Sequence, residues 1–99
     1  MTTFIVRIEL HNASGSDYTN LHHAMSNEGF SNTIQAGDGK IYKLPTAQYS
    51  MKTESDMNTV YNLAKAASQQ TINQSNTSNA FAVFASKTIG NQWYGLAIA

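Results

Sequence analysis

Along the first ten residues Phe4, Val6, Ile8 and Leu10 alternate with Ile5, Arg7 and Glu9. A period of two marks a strand with one buried face, so the chain opens on a half-buried strand. Residues 11–15 break the pattern with turn formers. Tyr18, Leu21, His22 and Met25 then recur at i, i+3, i+4 and i+7. That spacing predicts a helix over about 16–28, with Ser16 as its cap and Asp17 in its first turn. Gly29 and Phe30 suit a left-handed helix stop with an apolar residue folded back on the last turn.

Residues 30–36 read as a strand, Gly37-Asp38-Gly39 as a tight hairpin turn, and residues 40–44 as its return. After Pro45, residues 47–52 resume an extended course with Tyr49 and Met51 on one face. Ser55 is placed to cap a second helix over about 55–68, with Met57, Val60, Tyr61, Ala64 and Ala67 as its apolar stripe. Residues 69–79 are polar and uncharged, and are expected to form a flexible loop. Phe81, Val83 and Ala85 alternate with Ala82 and Phe84 as another strand. Residues 89–98, with a turn at Gly90-Asn91 and containing Trp93 and Tyr94, predict a short extra C-terminal strand.

The order β-α-β-β-α-β is the ferredoxin-like pattern. The fold class is therefore α+β, an antiparallel sheet with two helices on one face and an additional C-terminal strand. If Phe4, Val6 and Ile8 meet the helices, alternation turns Ile5, Arg7 and Glu9 to the open face.

Composition narrows the possibilities. With 99 residues, residues 1–99 are expected to make one domain, too small for a deep substrate cavity with its own lid. Function then belongs to a surface, a shallow cleft or a subunit interface. There is no cysteine, which excludes disulfides, thiolate metal sites and a cysteine nucleophile. Six basic residues balance six acidic ones, so any RNA contact must rely on local placement and stacking rather than on a bulk positive charge. The N-terminal apolar run is interrupted by Arg7 and Glu9, and no window approaches the roughly 20 apolar residues of a membrane span. A cytoplasmic protein without a membrane partner is expected.

Few residues could carry chemistry. His22 and His23 point about 100° apart on a helix and cannot chelate one metal together. His22, on the apolar edge, suits a packed and hydrogen-bonded role, and His23 a solvated one. His11 ends the first strand, where an imidazole can serve as general base. Arg7, on the open face, can grip phosphate in a bidentate fork, and a cross-strand pair with a carboxylate is the plainer alternative. Gly37-Asp38-Gly39-Lys40 could cradle a phosphate, although a plain hairpin turn explains it equally. Tyr42, Tyr49, Phe84 and Trp93 could offer stacking surfaces or simply fill the core. No cofactor is implied, because no nucleotide-, metal- or nucleophile-elbow fingerprint is present.

From Phe4-Ile5-Val6 through the first helix to Phe30-Ser31, then Ile34, Gly39, Leu44-Pro45 and Tyr49, the chain resembles the GhoS family. The likeness covers about residues 3–68, with Gly29-Phe30-Ser31-Asn32-Thr33-Ile34-Gln35-Ala36-Gly37-Asp38-Gly39-Lys40 its most telling part. The resemblance implies a ferredoxin-like domain. For the founding member, the antitoxin of a type V toxin–antitoxin system, it implies endoribonuclease cleavage of the toxin's messenger RNA. It supplies no catalytic motif that can be matched residue by residue.

Three functions follow. The first is an RNA-directed, metal-independent endoribonuclease with His11 as base and Arg7 as phosphate clamp, and with Lys40, Tyr42 and Lys43 holding RNA. The second is a non-enzymatic protein-binding module, such as a phage or mobile-element inhibitor, using the open sheet face. The third is a structural homodimer whose interface is that face. Net neutrality favours the second and third, and the resemblance favours the first.

Overall fold

The structure, a computed structural model, describes residues 1–90, 92 and 94–99. Its elements in chain order are β1 (Thr2–His11), α1 (Gly15–Asn27), β2 (Thr33–Gln35), β3 (Ile41–Lys43), β4 (Gln48–Thr53), α2 (Met57–Gln74) and β5 (Ala80–Thr88). β1 is the centre of an antiparallel sheet ordered β4-β1-β5. Val6 lies opposite Tyr49 on one side and Ala85 on the other. β2 and β3 form a hairpin, Ile34 opposite Tyr42. The hairpin joins β4 through an isolated bridge between Ser31 and Ser50, whose two N–H···O bonds measure 2.9 and 2.7 Å.

Phe4, Val6, Ile8 and Leu10 are buried, as alternation requires, and pack with Leu21, Met25, Val60, Ala64 and Ala67 in one core. Both helices thus cover one face of a sheet whose first strand is central, and the fold is α+β and ferredoxin-like. The extra C-terminal strand is reduced to a bridge between Tyr42 and Ile98. Lys43 N–H donates to Ala97 O at 2.8 Å and Ala99 N–H to Ile41 O at 2.9 Å. The parts of that expectation resting on Asn91 and Trp93 lie outside the described residues.

Several local expectations are corrected. The cap of α1 is Ser14 and not Ser16. Ser14 Oγ accepts from Asp17 N–H, and the Asp17 carboxylate accepts from Ser14 N–H at 2.9 Å. This reciprocal pair satisfies two orphan donors at once, which a serine already inside the helix cannot do. Gly29 does close the helix, at φ +92°, with Phe30 N–H reaching back to Met25 O at 3.0 Å. The cap of α2 is Asp56 and not Ser55, its Oδ1 accepting from Thr59 N–H at 2.8 Å. The strand expected over 30–36 shortens to Thr33–Gln35.

The largest departure is α2, which continues to Gln74 through half of the stretch expected to be a loop. Ser68 Oγ donates to Ala64 O at 2.8 Å and Thr71 Oγ1 to Ala67 O at 2.9 Å, both buried. Hydroxyls that bond back to their own helix become buriable, so Val60, Ala64, Ala67, Ser68 and Thr71 make the inner face. Met57 and Tyr61, expected in that stripe, are both exposed instead.

Candidate functional site

The uncovered face of the sheet is built from alternate residues of its three strands. On β1 it carries Arg7, Glu9 and His11, all exposed. Arg7 lies opposite Gln48 on β4 and Phe84 on β5. Phe84 is 66% exposed, although an aromatic ring in mid-strand ordinarily seeks cover. Around these residues opens a concavity of about 550 Å³, lined among others by Arg7, Glu9, Gln48, Ala82 and Phe84. Neither register partner of Arg7 is a carboxylate, and the one ion pair among the described residues joins Glu9 Oε1 to His11 Nε2 at 3.3 Å. The cross-strand carboxylate pair weighed for Arg7 is not formed.

Arg7 and His11 share a face but stand four residues apart, about 13 Å along the strand. They reach one phosphodiester only by leaning toward each other over Glu9. Lys40, Tyr42 and Lys43 are not brought to the same spot. They sit on the hairpin, Lys40 before β3 with its N–H bonded to Asp38 Oδ1 at 3.0 Å. The β2-β3 hairpin is a sheet of its own, joined to β4 by the single Ser31–Ser50 bridge, and none of its three candidate residues lines the concavity around Arg7 and Phe84. The Gly37-Asp38-Gly39 segment is the hairpin turn, with Ala36 N–H on Lys40 O at 2.8 Å.

A second polar locus lies on the helix side. Tyr49, 1% exposed, hydrogen-bonds through its hydroxyl to His22 Nδ1, with ring centroids 5.6 Å apart. Burial, and secondarily Tyr18, raises the Tyr49 phenol well above its ordinary value. Burial, and secondarily the neighbouring His23, lowers His22. His22 is thus the packed, hydrogen-bonded histidine expected, and His23 is exposed. Tyr49 is core and no stacking platform, while Trp93 lies outside the described residues. Asp17 is also buried. The Ser14 N–H first, then the Ser75, Ser14 and Thr77 hydroxyls, hold its carboxyl below the ordinary value against the opposing effect of burial.

The feature that the sequence reading missed is the pairing of Glu9 with His11. The signal was available, since i and i+2 on a strand share a face. No group of three metal-ligating side chains occurs among the described residues, and no helix there is long and apolar enough to cross a membrane. Comparison of the chain with curated proteins gives no match. The profile of a family described as endoribonuclease GhoS matches residues 1–83, and the chain belongs to that endoribonuclease family.

Proposed function

We propose that the protein is a cytoplasmic type V antitoxin that cleaves the messenger RNA of its cognate toxin on the open sheet face, without a metal. The observation that carries this reading is the grouping of Arg7, the Glu9–His11 pair and the exposed Phe84 ring on one face, in a chain of an endoribonuclease family. Phe84 stacks on an unpaired base. Arg7 clamps the scissile phosphate and meets the negative charge that grows on it. Glu9 orients the His11 imidazole, which takes the proton of the ribose 2′-hydroxyl. The 2′-oxygen attacks phosphorus, the bond to the 5′-oxygen breaks as that oxygen takes a proton from water, and a 2′,3′-cyclic phosphate and a 5′-hydroxyl end result, His11 returning its proton to solvent. Lys40, Tyr42 and Lys43 guide the strand beyond the site.

The test is incubation of the purified protein with a mixed transcript pool, with and without chelator. Cleavage that survives chelator and fails on a 2′-deoxy substrate is expected. An intact pool under both conditions, or cleavage of 2′-deoxy strands, overturns the reading.

A further inference from the structure

β5 is a sheet edge. It pairs with β1 on one side, and from Phe81 to Lys87 no other strand among the described residues takes up its second side. Which groups face outward follows from one bond. Ile8 N–H donates to Ala47 O at 3.0 Å, toward β4. The amide and carbonyl of a residue leave an antiparallel strand together, and successive residues alternate. Arg7 therefore turns its pair toward β5, where it meets Phe84. The backbone groups of Phe84 are engaged with β1, and those of Phe81, Val83, Ala85 and Lys87 point out of the sheet. Natural edges are shielded by brevity, proline, bulges or charge. β5 is nine residues long, has no proline, and carries Lys87 as its sole charge.

We propose that β5 pairs antiparallel with β5 of a second copy, about a two-fold axis through Phe84. In that register Val83 faces Ala85, Ala82 faces Ser86, Phe81 faces Lys87, and Phe84 faces its own counterpart. Every outward group from Phe81 to Lys87 then finds a partner. The central pair is a non-hydrogen-bonded one, with Cα atoms about 4.5 Å apart, so the two exposed Phe84 rings meet. Like charges never oppose each other, because each Lys87 lies roughly 10 Å from the axis on its own side. This self-complementarity selects a second copy over a foreign strand. A single strand pair makes a small interface, so the association depends on concentration.

The axis stands perpendicular to the sheet, and both open faces look the same way. On the RNA reading above, two Arg7 side chains frame the paired Phe84 rings across three strand spacings, about 14 Å, as one continuous surface.

Sedimentation equilibrium without RNA, between about 10 μM and 1 mM, tests the pairing. The double variant A82K/S86K sets ammonium groups opposite one another across the axis, whereas A82K/S86E opposes an ammonium to a carboxylate. Wild type and A82K/S86E are expected to pass from monomer to dimer, and A82K/S86K to associate at least tenfold more weakly while its circular dichroism stays native. Hydrogen exchange reads the register directly. Protection at the Val83 and Ala85 amides should rise with concentration while that at Phe84 does not change. A wild-type monomer throughout the range, equal association of the two double variants, or edge protection gained only with a foreign peptide overturns the proposal. Neither readout involves RNA, so its failure and that of the cleavage reading are separable.

Discussion

Replacing Arg7 by Gln keeps a polar side chain of similar reach and removes one positive charge. Arg7 is exposed and faces Gln48 and Phe84 rather than a carboxylate, so its loss should leave stability within about 0.5 kcal/mol. Its effect on RNA can be worked out. Each phosphate contact on a single strand releases about 0.7 of a counterion. At 0.15 M salt that release is worth about 0.8 kcal/mol, or fourfold in Kd, before any hydrogen bond is counted. Adding a charge-assisted bond of about 1.5 kcal/mol brings the expected loss to roughly fiftyfold. If Arg7, Lys40 and Lys43 each meet one phosphate, log K falls against log salt with slope about −2.1, and the variant's slope is about −1.4. Fluorescence anisotropy of a labelled 2′-deoxy strand, titrated at several salt concentrations, measures both. An unchanged slope with unchanged affinity removes Arg7 from the site. A melting transition that falls alongside affinity shows that Arg7 serves the fold instead.

Three further outcomes concern the fold. Leu21→Ala, in a wholly buried site, should cost about 2–5 kcal/mol in denaturant melts, whereas exposed His23→Ala should cost less than about 0.5 kcal/mol; equal losses would reverse the assignment of the buried face of α1. Ser78 Oγ is buried without a hydrogen-bond partner among the described residues, so Ser78→Ala should be neutral or stabilising by up to about 1 kcal/mol, and a clear destabilisation would reveal a partner for it. Burial lowers His22 below its ordinary 6.5, so the unfolded chain binds a proton first on acidification. Stability present above pH 6.5 should decline as pH falls toward the folded value, and His22→Gln should flatten that decline in melts followed against pH.

The periodicities that could be read from residue types alone were those backed by large apolar side chains. Phe4, Val6, Ile8 and Leu10 announced β1 and its buried face, and Gly29 with Phe30 announced the end of α1. The second half of α2 stayed hidden because its inner face uses Ser68 and Thr71, whose hydroxyls are satisfied only once the helix exists. Met57 and Tyr61 misled for the opposite reason, being apolar at helical spacing yet on the solvent side. At the site, alternation alone put Arg7 on the open face. The separation of Lys40, Tyr42 and Lys43 from it depended on strand order, which no local pattern encodes.

The central place of β1 has a consequence for how the protein is made. β1 precedes both of the strands it needs as neighbours, which arrive with Gln48–Thr53 and Ala80–Thr88. Thr3 meets Thr88, so the sheet cannot close until synthesis has run on from Thr3 through Thr88. At roughly 5–20 residues per second that is a wait of about 4–17 s. Throughout it, the apolar run Phe4-Ile5-Val6 lacks its final partner strand. Contacts so distant in sequence also slow folding itself. A newborn chain is thus exposed to chaperones and proteases for longer than a helical protein of equal length, and a shortage of either shows first in the amount of folded protein, before any change in its activity per molecule.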